Sequence, residues 1–290
     1  MNIEHPQTAA KDHRLPFIKA DGRWISLGLG AAFVVVLGMP LLVTVLWSLV
    51  DPQVGWFAPD ILPTSRALNH WSGALRNPSI VSALGLSIGI GIAVTILTAT
   101  LALPTAYALA KLPFRMKRFV EVFVLAPLIV PGIIVAVGIG AIFFRLDLVY
   151  TVSGVILVQT VGTLPLMIRI LAATIEAIPN DLIAAARTLG AGPGAIARYI
   201  LIPLAWPGFI AGGLLTFVSS FEEFEKTFII GSPFVQTLPV ILWTYLGGRG
   251  IIFPNAAVVT FILLVPMLIV FFLAGRVLRD DVLASGMGKL

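Results

Sequence analysis

Six long, nearly uninterrupted apolar runs dominate this chain of 290 residues. They cover residues 24–50, 80–110, 119–144, 152–173, 208–230 and 256–275. A helix needs roughly 20 apolar residues to cross the hydrocarbon core of a bilayer, and each run reaches that length. Only 11% of the residues are charged, compared with roughly 25% in a soluble domain. The runs therefore predict an all-α, polytopic integral membrane protein with six transmembrane helices.

The lysines and arginines are distributed unevenly between the two sides that six spans define. Basic residues close to a span resist translocation, so the side richer in them is expected to face the cytoplasm. With the N-terminus inside, fourteen of the nineteen Lys and Arg residues lie on the cytoplasmic side. This bias predicts two cytoplasmic tails, 1–23 and 276–290, around a transmembrane domain at 24–275. We expect the first span to be a retained helix and not a signal peptide.

The connection at residues 175–207, between the fourth and fifth spans, contains two short helical patterns on either side of Gly190. Asn180 or Asp181 is expected to cap the first helix, and Gly190 permits the left-handed backbone that ends it. A second short helix is expected before Pro203. A loop that only joined two spans would not need this much order. The segment therefore predicts a docking surface on the cytoplasmic face.

Within this segment, the pair Ala185–Ala186 is followed at fixed spacings by Gly190, Ile200 and Pro203. This spacing resembles the EAA loop of type I ATP-binding-cassette (ABC) importer permeases, which reads Glu-Ala-Ala, three residues, Gly, nine residues, Ile, one residue, Leu-Pro. The chain departs from the pattern at Ala184, which replaces the glutamate, so an ion pair made there in the family does not carry over. The second departure, an isoleucine before Pro203 in place of leucine, is conservative. The ATPase-coupling residues that the resemblance implies are Asp181, Ala184, Ala185, Ala186, Arg187, Gly190, Ile200 and Pro203.

Four further stretches resemble the spermidine/putrescine-type branch of these permeases. They are residues 126–133, 164–165, 220–224 and 237–240. The resemblance implies a type I ABC importer permease fold in the bacterial cytoplasmic (inner) membrane. It further implies that the chain forms half of the translocation pathway of an ATP-driven, binding-protein-dependent importer with a polyamine substrate. Amino acids, opine-like compounds and other small organic solutes stay open as alternatives within this class.

The resemblance also implies a set of partners. These are a second homologous permease subunit, two copies of a cytoplasmic ATP-binding subunit that bind ATP and Mg, an extracytoplasmic solute-binding protein, and the membrane lipid. A stand-alone secondary carrier or channel is the alternative from a different class. That alternative does not explain the spacing in 175–207.

The sequence shows no catalytic or metal-binding pattern. A phosphate-binding loop needs Gly-x-x-x-x-Gly-Lys-Ser/Thr, and the lysine that is followed by threonine, Lys226, is preceded by Glu225. The chain has no cysteine, which excludes thiolate metal sites and cysteine nucleophiles. We therefore expect a non-catalytic subunit without its own cofactor or metal. The scattered basic residues give no indication of nucleic-acid binding.

A cluster of charged residues falls inside the fifth predicted span. Ionisable side chains within a membrane commonly line water or a protein interior. Glu222, Glu223, Glu225 and Lys226 together carry a net charge of −2, which suits a cationic substrate. Because Glu222 and Lys226 are spaced i,i+4, we expect the lysine to offset Glu222 most directly. The alternative is that these side chains reach the outer interface and pair locally or contact the binding protein.

Two polar side chains of the fourth span are further candidates for the substrate pathway. Gln159 and Thr163 are spaced i,i+4 and share one helix face. Hydrogen bonds between spans are the alternative role for both. With the three glutamates, they make up the substrate-pathway residues that the sequence predicts.

Overall fold

The structure is a computed structural model, and it describes residues 22–57, 59–247 and 252–286. These ranges contain helices, loops and an isolated antiparallel bridge between Val50 and Arg66. The helices are α1 (Gly22–Ser48), α2 (Asn69–Arg76), α3 (Pro78–Lys111), α4 (Lys117–Ile129), α5 (Gly132–Arg145), α6 (Val152–Glu176), α7 (Asn180–Thr188), α8 (Pro193–Ile196), α9 (Ile202–Leu204), α10 (Trp206–Phe221), α11 (Glu225–Gly231), α12 (Leu238–Gly247) and α13 (Phe253–Gly286). A π-helical turn joins α8 to α9. Most of the predicted N-terminal tail and the end of the C-terminal tail lie outside the described residues.

Four of these helices, α1, α3, α6 and α13, are long and apolar enough to cross a membrane unaided. Two bent pairs supply the other candidate spans. They are α4 with α5, bent by 103°, and the segment Pro193–Leu204 with α10, bent by 70°. If each bent pair crosses once, the described residues contain six spans. The predicted all-α membrane fold is therefore confirmed.

The third predicted span, 119–144, is not one continuous helix. α4 ends before Val130, whose backbone is extended, and Pro131 stands at the N-cap of α5. A proline restricts the residue before it to extended backbone and has no N–H with which to continue a helix. With 13 and 14 residues, α4 and α5 are each too short to cross a bilayer alone.

The fifth predicted span, 208–230, is also divided, because α10 ends at Phe221 and α11 begins at Glu225. At this break the Glu223 side chain accepts the backbone N–H of Lys226 at 3.0 Å. That N–H belongs to the first turn of α11, where no helical carbonyl is available to it. The carboxylate therefore stabilises the start of a new helix inside the apolar run.

α3, α6 and α10 pack against one another at the centre of the structure. Val94, Met167 and Phe217, one from each helix, are buried there. Small residues allow the close approach, since a Cβ added at Gly208 of α10 would lie 2.5 Å from Thr174 Oγ1 of α6. These three helices form the frame on which both candidate sites are built.

α1 lies at the edge of this frame and contacts α13. The Trp47 ring packs 5.0 Å from the Phe253 ring. Farther along α1, Phe33, Val36 and other large apolar side chains are exposed. Such a surface is stable against lipid and unfavourable in water.

Candidate functional site

The segment 175–207 packs against the adjoining ends of α3 and α6. Ile178, Ile183 and Ile196 are buried in one core with Leu109 and other residues of those two helices. The burial of three isoleucines fixes the position of α7 and α8 on the bundle. The segment is therefore a rigid extension of the central helices.

Lys111, the last residue of α3, links the end of α3 to the end of α6. Its Nζ donates hydrogen bonds to the backbone carbonyls of Glu176 and Ile178, at 3.2 and 2.5 Å. The last carbonyls of a helix have no helical partner and attract a cation. Lys111 was not among the coupling residues predicted from the sequence. No local spacing indicates a contact across 65 positions.

α7 ends in a Schellman motif at Gly190, where the predicted left-handed backbone is present with φ of +83°. The Ala191 N–H donates to the Ala186 carbonyl at 2.9 Å, and the Gly190 N–H donates to the Arg187 carbonyl at 3.0 Å. A Cβ added at Gly190 would meet no atom within 4 Å. Glycine is required here by the backbone conformation and not by crowding.

The predicted capping of α7 by Asn180 or Asp181 is wrong. The residue at the N-cap is Pro179, and no side chain accepts a hydrogen bond there. The extended backbone of Pro179 starts the helix before either polar residue can take the cap position. Asp181 instead lies in the first turn, where its carboxylate is favourably placed relative to the helix dipole.

The predicted coupling residues form part of the surface of this segment. The exposed ones are Asp181, Ala184, Ala185, Arg187, Gly190 and Pro203, and the half-buried ones are Ala186 and Ile200. Leu189, at the turn, is 88% exposed and projects an apolar side chain from the tip. The sequence prediction did not include Leu189, although its position next to Gly190 indicates a residue at the turn between the two short helices.

A second candidate site lies where the break between α10 and α11 meets the break between α4 and α5. Lys226 forms an ion pair with Glu223, so the predicted pairing of Lys226 with Glu222 is wrong. Glu222 is the C-cap of α10, and the chain leaves the helix before Lys226. The i,i+4 spacing of a continuous helix therefore does not apply.

Lys226 and Glu225 also reach the start of α5. A Cβ added at Gly132 would lie 3.2 Å from Lys226 Nζ and 2.6 Å from Glu225 Oε2. A Cβ added at Gly162 of α6 would lie 2.9 Å from Lys226 Cε. Glycine at both positions makes room for the charged side chains. Broken helices that bring polar groups together are typical of substrate and ion sites in transporters.

Gln159 and Thr163 form hydrogen bonds between helices. Gln159 Nε2 donates to Thr227 Oγ1 at 2.8 Å, and Ser220 Oγ donates to Gln159 Oε1 at 2.5 Å. The Thr163 hydroxyl lies 3.0 Å from that of Thr98. Both side chains are buried, so in this structure they join α6 to α3, α10 and α11.

The exposed charges of the cluster are Glu222 and Glu225, whereas Glu223 is half-buried. Neither exposed carboxylate has an ion-pair partner within the described part of the chain. No group of three or more His, Asp or Glu side chains in that part is arranged to hold a metal ion.

A solved structure identifies the fold that this architecture represents. A bacterial ABC transporter that imports the acidic polysaccharide alginate shares the fold with a TM-score of 0.73, at 16% identity and over 87% of this chain and 95% of that chain. The fold is that of an ABC importer permease. A sequence model of the family described as binding-protein-dependent transport system inner membrane component matches residues 100–280. The chain belongs to this family.

Named relatives agree on the class of protein and differ in what their names say they transport. The trehalose transport system permease protein SugB of Mycobacterium tuberculosis (strain CDC 1551 / Oshkosh) is 28% identical over 73% of this chain and 78% of its own length. The molybdenum transport system permease protein ModB of M. tuberculosis (strain H37Rv) is 29% identical over 66% of this chain and 76% of its own length. The chain is thus a non-catalytic inner-membrane subunit of an ABC importer, with its ATPase on a separate partner. The spermidine/putrescine branch is not indicated by these relatives.

Proposed function

We propose that this chain forms half of the translocation pathway of an ATP-driven importer and that residues 175–207 couple it to the ATPase. The observation that carries this proposal is the rigid attachment of α7 to α3 and α6 through the isoleucine core and Lys111. Leu189 projects from that attachment and is available to a partner. A movement of the partner against the tip is then transmitted to the central helices.

The distribution of basic residues supports an orientation with α7 in the cytoplasm. Lys111, Lys117 and Arg187 lie at the end of the bundle that carries α7, and Arg66 and Arg76 lie at or near α2 toward the opposite end. Basic residues favour the cytoplasmic side. In this orientation both termini are cytoplasmic. The complete importer then contains a second homologous permease subunit, two ATPase subunits and an extracytoplasmic binding protein.

We infer that solute passes beside the junction of the two helix breaks. Glu222 and Glu225 support a cationic solute such as a polyamine, because each attracts a cation by on the order of 1 to 4 kcal/mol at contact, depending on the effective dielectric constant. Glu223 contributes less, since Lys226 neutralises it. The relatives named for trehalose and molybdenum favour the second candidate, a small organic or anionic solute.

The test is ATP-driven uptake by the whole complex in proteoliposomes, with spermidine, trehalose and molybdate as probes. Glu225→Gln removes a charge with little change of shape, and Asp60→Asn is the matched control on a loop away from the cluster. For a cationic solute we expect uptake to fall about fivefold in Glu225→Gln and to be unchanged in Asp60→Asn, from a loss of about 1 kcal/mol. Undiminished spermidine uptake in Glu225→Gln would refute the polyamine hypothesis. Absence of ATP-dependent uptake for every solute offered to an intact complex would contradict the importer function.

A further inference from the structure

A cavity with charged walls lies between α4 and α6, next to the end of α3. Its volume is about 470 Å³. Three basic and two acidic side chains line it: Lys117, Arg118 and Arg169, with Glu121 and Glu176. We refer to it as the basic cavity. Neither the coupling role nor the solute pathway described above uses these side chains.

The positive charges of the basic cavity have no ion-pair partner among the residues that the structure describes. Of these charges, that of Arg169 is the least favourable in a membrane, because Arg169 lies deepest in its helix. It stands seven residues before the end of α6, roughly 10 Å along the helix axis. A cation within a membrane span is unfavourable unless it meets a counter-charge or water. The carboxylate oxygens of the two glutamates that line the same cavity lie more than 4.0 Å from the nitrogens of its three basic side chains. The five charged side chains of the cavity together carry a net charge of +1.

The start of α4 adds to the positive potential. Its first two residues are Lys117 and Arg118, its first turn contains no acidic residue, and no side chain caps it. A helix N-terminus normally attracts an anion or an acidic side chain, and cations there are unfavourable. The α4 N-terminus and the three cations therefore favour the same kind of ligand, a phosphate or another anion.

An apolar groove continues from the basic cavity along the same two helices. It has a volume of about 410 Å³, and its lining includes Phe123, Pro127, Val161 and Leu164. Val124 lines both the basic cavity and this apolar groove, so the two are adjacent. Beside them, the exposed rings of Phe119 and Phe123 stack with centroids 6.3 Å apart.

We propose that the basic cavity and the apolar groove together bind an anionic phospholipid. The phosphate lies among Lys117, Arg118 and Arg169, and an acyl chain follows the groove past Phe123. A free anion would account for the charges but not for the adjoining groove. Basic pockets between transmembrane helices on the cytoplasmic side are suited to anionic lipid headgroups.

The lipid site adjoins the coupling segment. Glu176 lines the basic cavity, and its backbone carbonyl accepts a hydrogen bond from Lys111. α7 begins four residues later, at Asn180. Bound lipid therefore stabilises the joint between α6 and α7 and raises stimulated ATP hydrolysis. This consequence rests on the proposed function, whereas the binding itself does not.

The binding test is native mass spectrometry of the whole complex after exchange into nanodiscs of phosphatidylcholine with or without phosphatidylglycerol. We expect wild type to retain phosphatidylglycerol in preference to phosphatidylcholine. Arg169→Gln should weaken that retention about fivefold, because Arg169 lines the cavity, and a basic side chain that faces the lipid phosphate contributes about a fivefold preference for anionic lipid. Arg169→Lys keeps the charge and should restore most of it. Arg115→Gln, which removes an exposed charge from the neighbouring loop, is the matched control and should change nothing.

Four results would overturn the proposal. Three concern retention: no preference for phosphatidylglycerol in wild type, equal retention in wild type and Arg169→Gln, or displacement of the lipid by millimolar inorganic phosphate. The last would show that the site takes a free anion. A Phe123→Cys variant that crosslinks to the second permease subunit would show that protein covers the groove, which also contradicts it. Because retention is measured without ATP or solute, its failure is distinct from failure of the importer function.

Discussion

Replacement of Gly190 by valine tests the coupling role of 175–207 with little ambiguity about its cause. The native φ at this position is +83°, and no atom lies within 4 Å of an added Cβ. An added Cβ therefore causes no clash, and the main effect of the substitution is on the backbone conformation. A left-handed conformation costs an L-residue roughly 1 to 2 kcal/mol, and more when the side chain is β-branched. Since about 1.4 kcal/mol corresponds to a tenfold change, the native turn should become roughly five- to thirtyfold less favourable.

The assay is ATP hydrolysis by the reconstituted complex, measured with and without solute-loaded binding protein. We expect Gly190→Val to assemble normally and to lose most of the stimulation. Gly190→Asn should retain it, because asparagine tolerates left-handed backbone. Gly192→Ala is the matched control, since Gly192 has φ of −74° and open space around its Cβ position. Full stimulation and transport in Gly190→Val would refute the assignment of the Schellman turn to coupling.

The remaining predictions concern topology, the charged junction and the Lys111 anchor. An impermeant thiol reagent applied to intact cells should label Asp60→Cys and not Arg115→Cys, and the reverse result would overturn the orientation. Gly162→Val should displace Lys226, because a Cβ there lies 2.9 Å from its Cε, and uptake should fall while assembly is preserved; normal uptake would show that transport does not depend on the position of Lys226 at the junction. Lys111→Gln should speed hydrogen exchange in α7 about fivefold, through the loss of roughly 1 kcal/mol of charged hydrogen bonding, whereas unchanged exchange would show that the anchor is unimportant.

The features that the sequence predicted correctly are those determined by residues close together in the chain. Hydropathy located the four continuous spans, α1, α3, α6 and α13, because a helix in lipid must be apolar over its whole length. The left-handed turn was predictable from Gly190 because few other residues adopt that backbone. The break before Gly132 was also available locally, in Pro131, but a count of apolar residues does not register a missing N–H.

Some features that the sequence did not predict depend on contacts between segments that are distant in the chain. Others depend on a local break in a helix, which residue spacing alone does not reveal. Lys111 meets the carbonyl of Glu176 through the packing of α3 on α6, and no periodicity encodes that distance. The partner of Lys226 was misjudged because the i,i+4 rule assumes one continuous helix, and the chain breaks at Glu222. The uncapped start of α7 was missed because Pro179 leaves no place for a side-chain cap.

The most direct test of the central claim is a crosslink from Leu189 to the ATPase. The native chain has no cysteine, so a single Leu189→Cys can be joined by a short thiol reagent to cysteines placed one at a time on the membrane-facing surface of the ATPase subunit. Leu182→Cys, exposed on the same short helix, maps the orientation of α7, and Leu29→Cys on α1 is the distant control. We predict an efficient crosslink from position 189 that abolishes stimulated ATP hydrolysis and is reversed by reduction. An assembled, active complex in which position 189 crosslinks no better than position 29 would contradict the account.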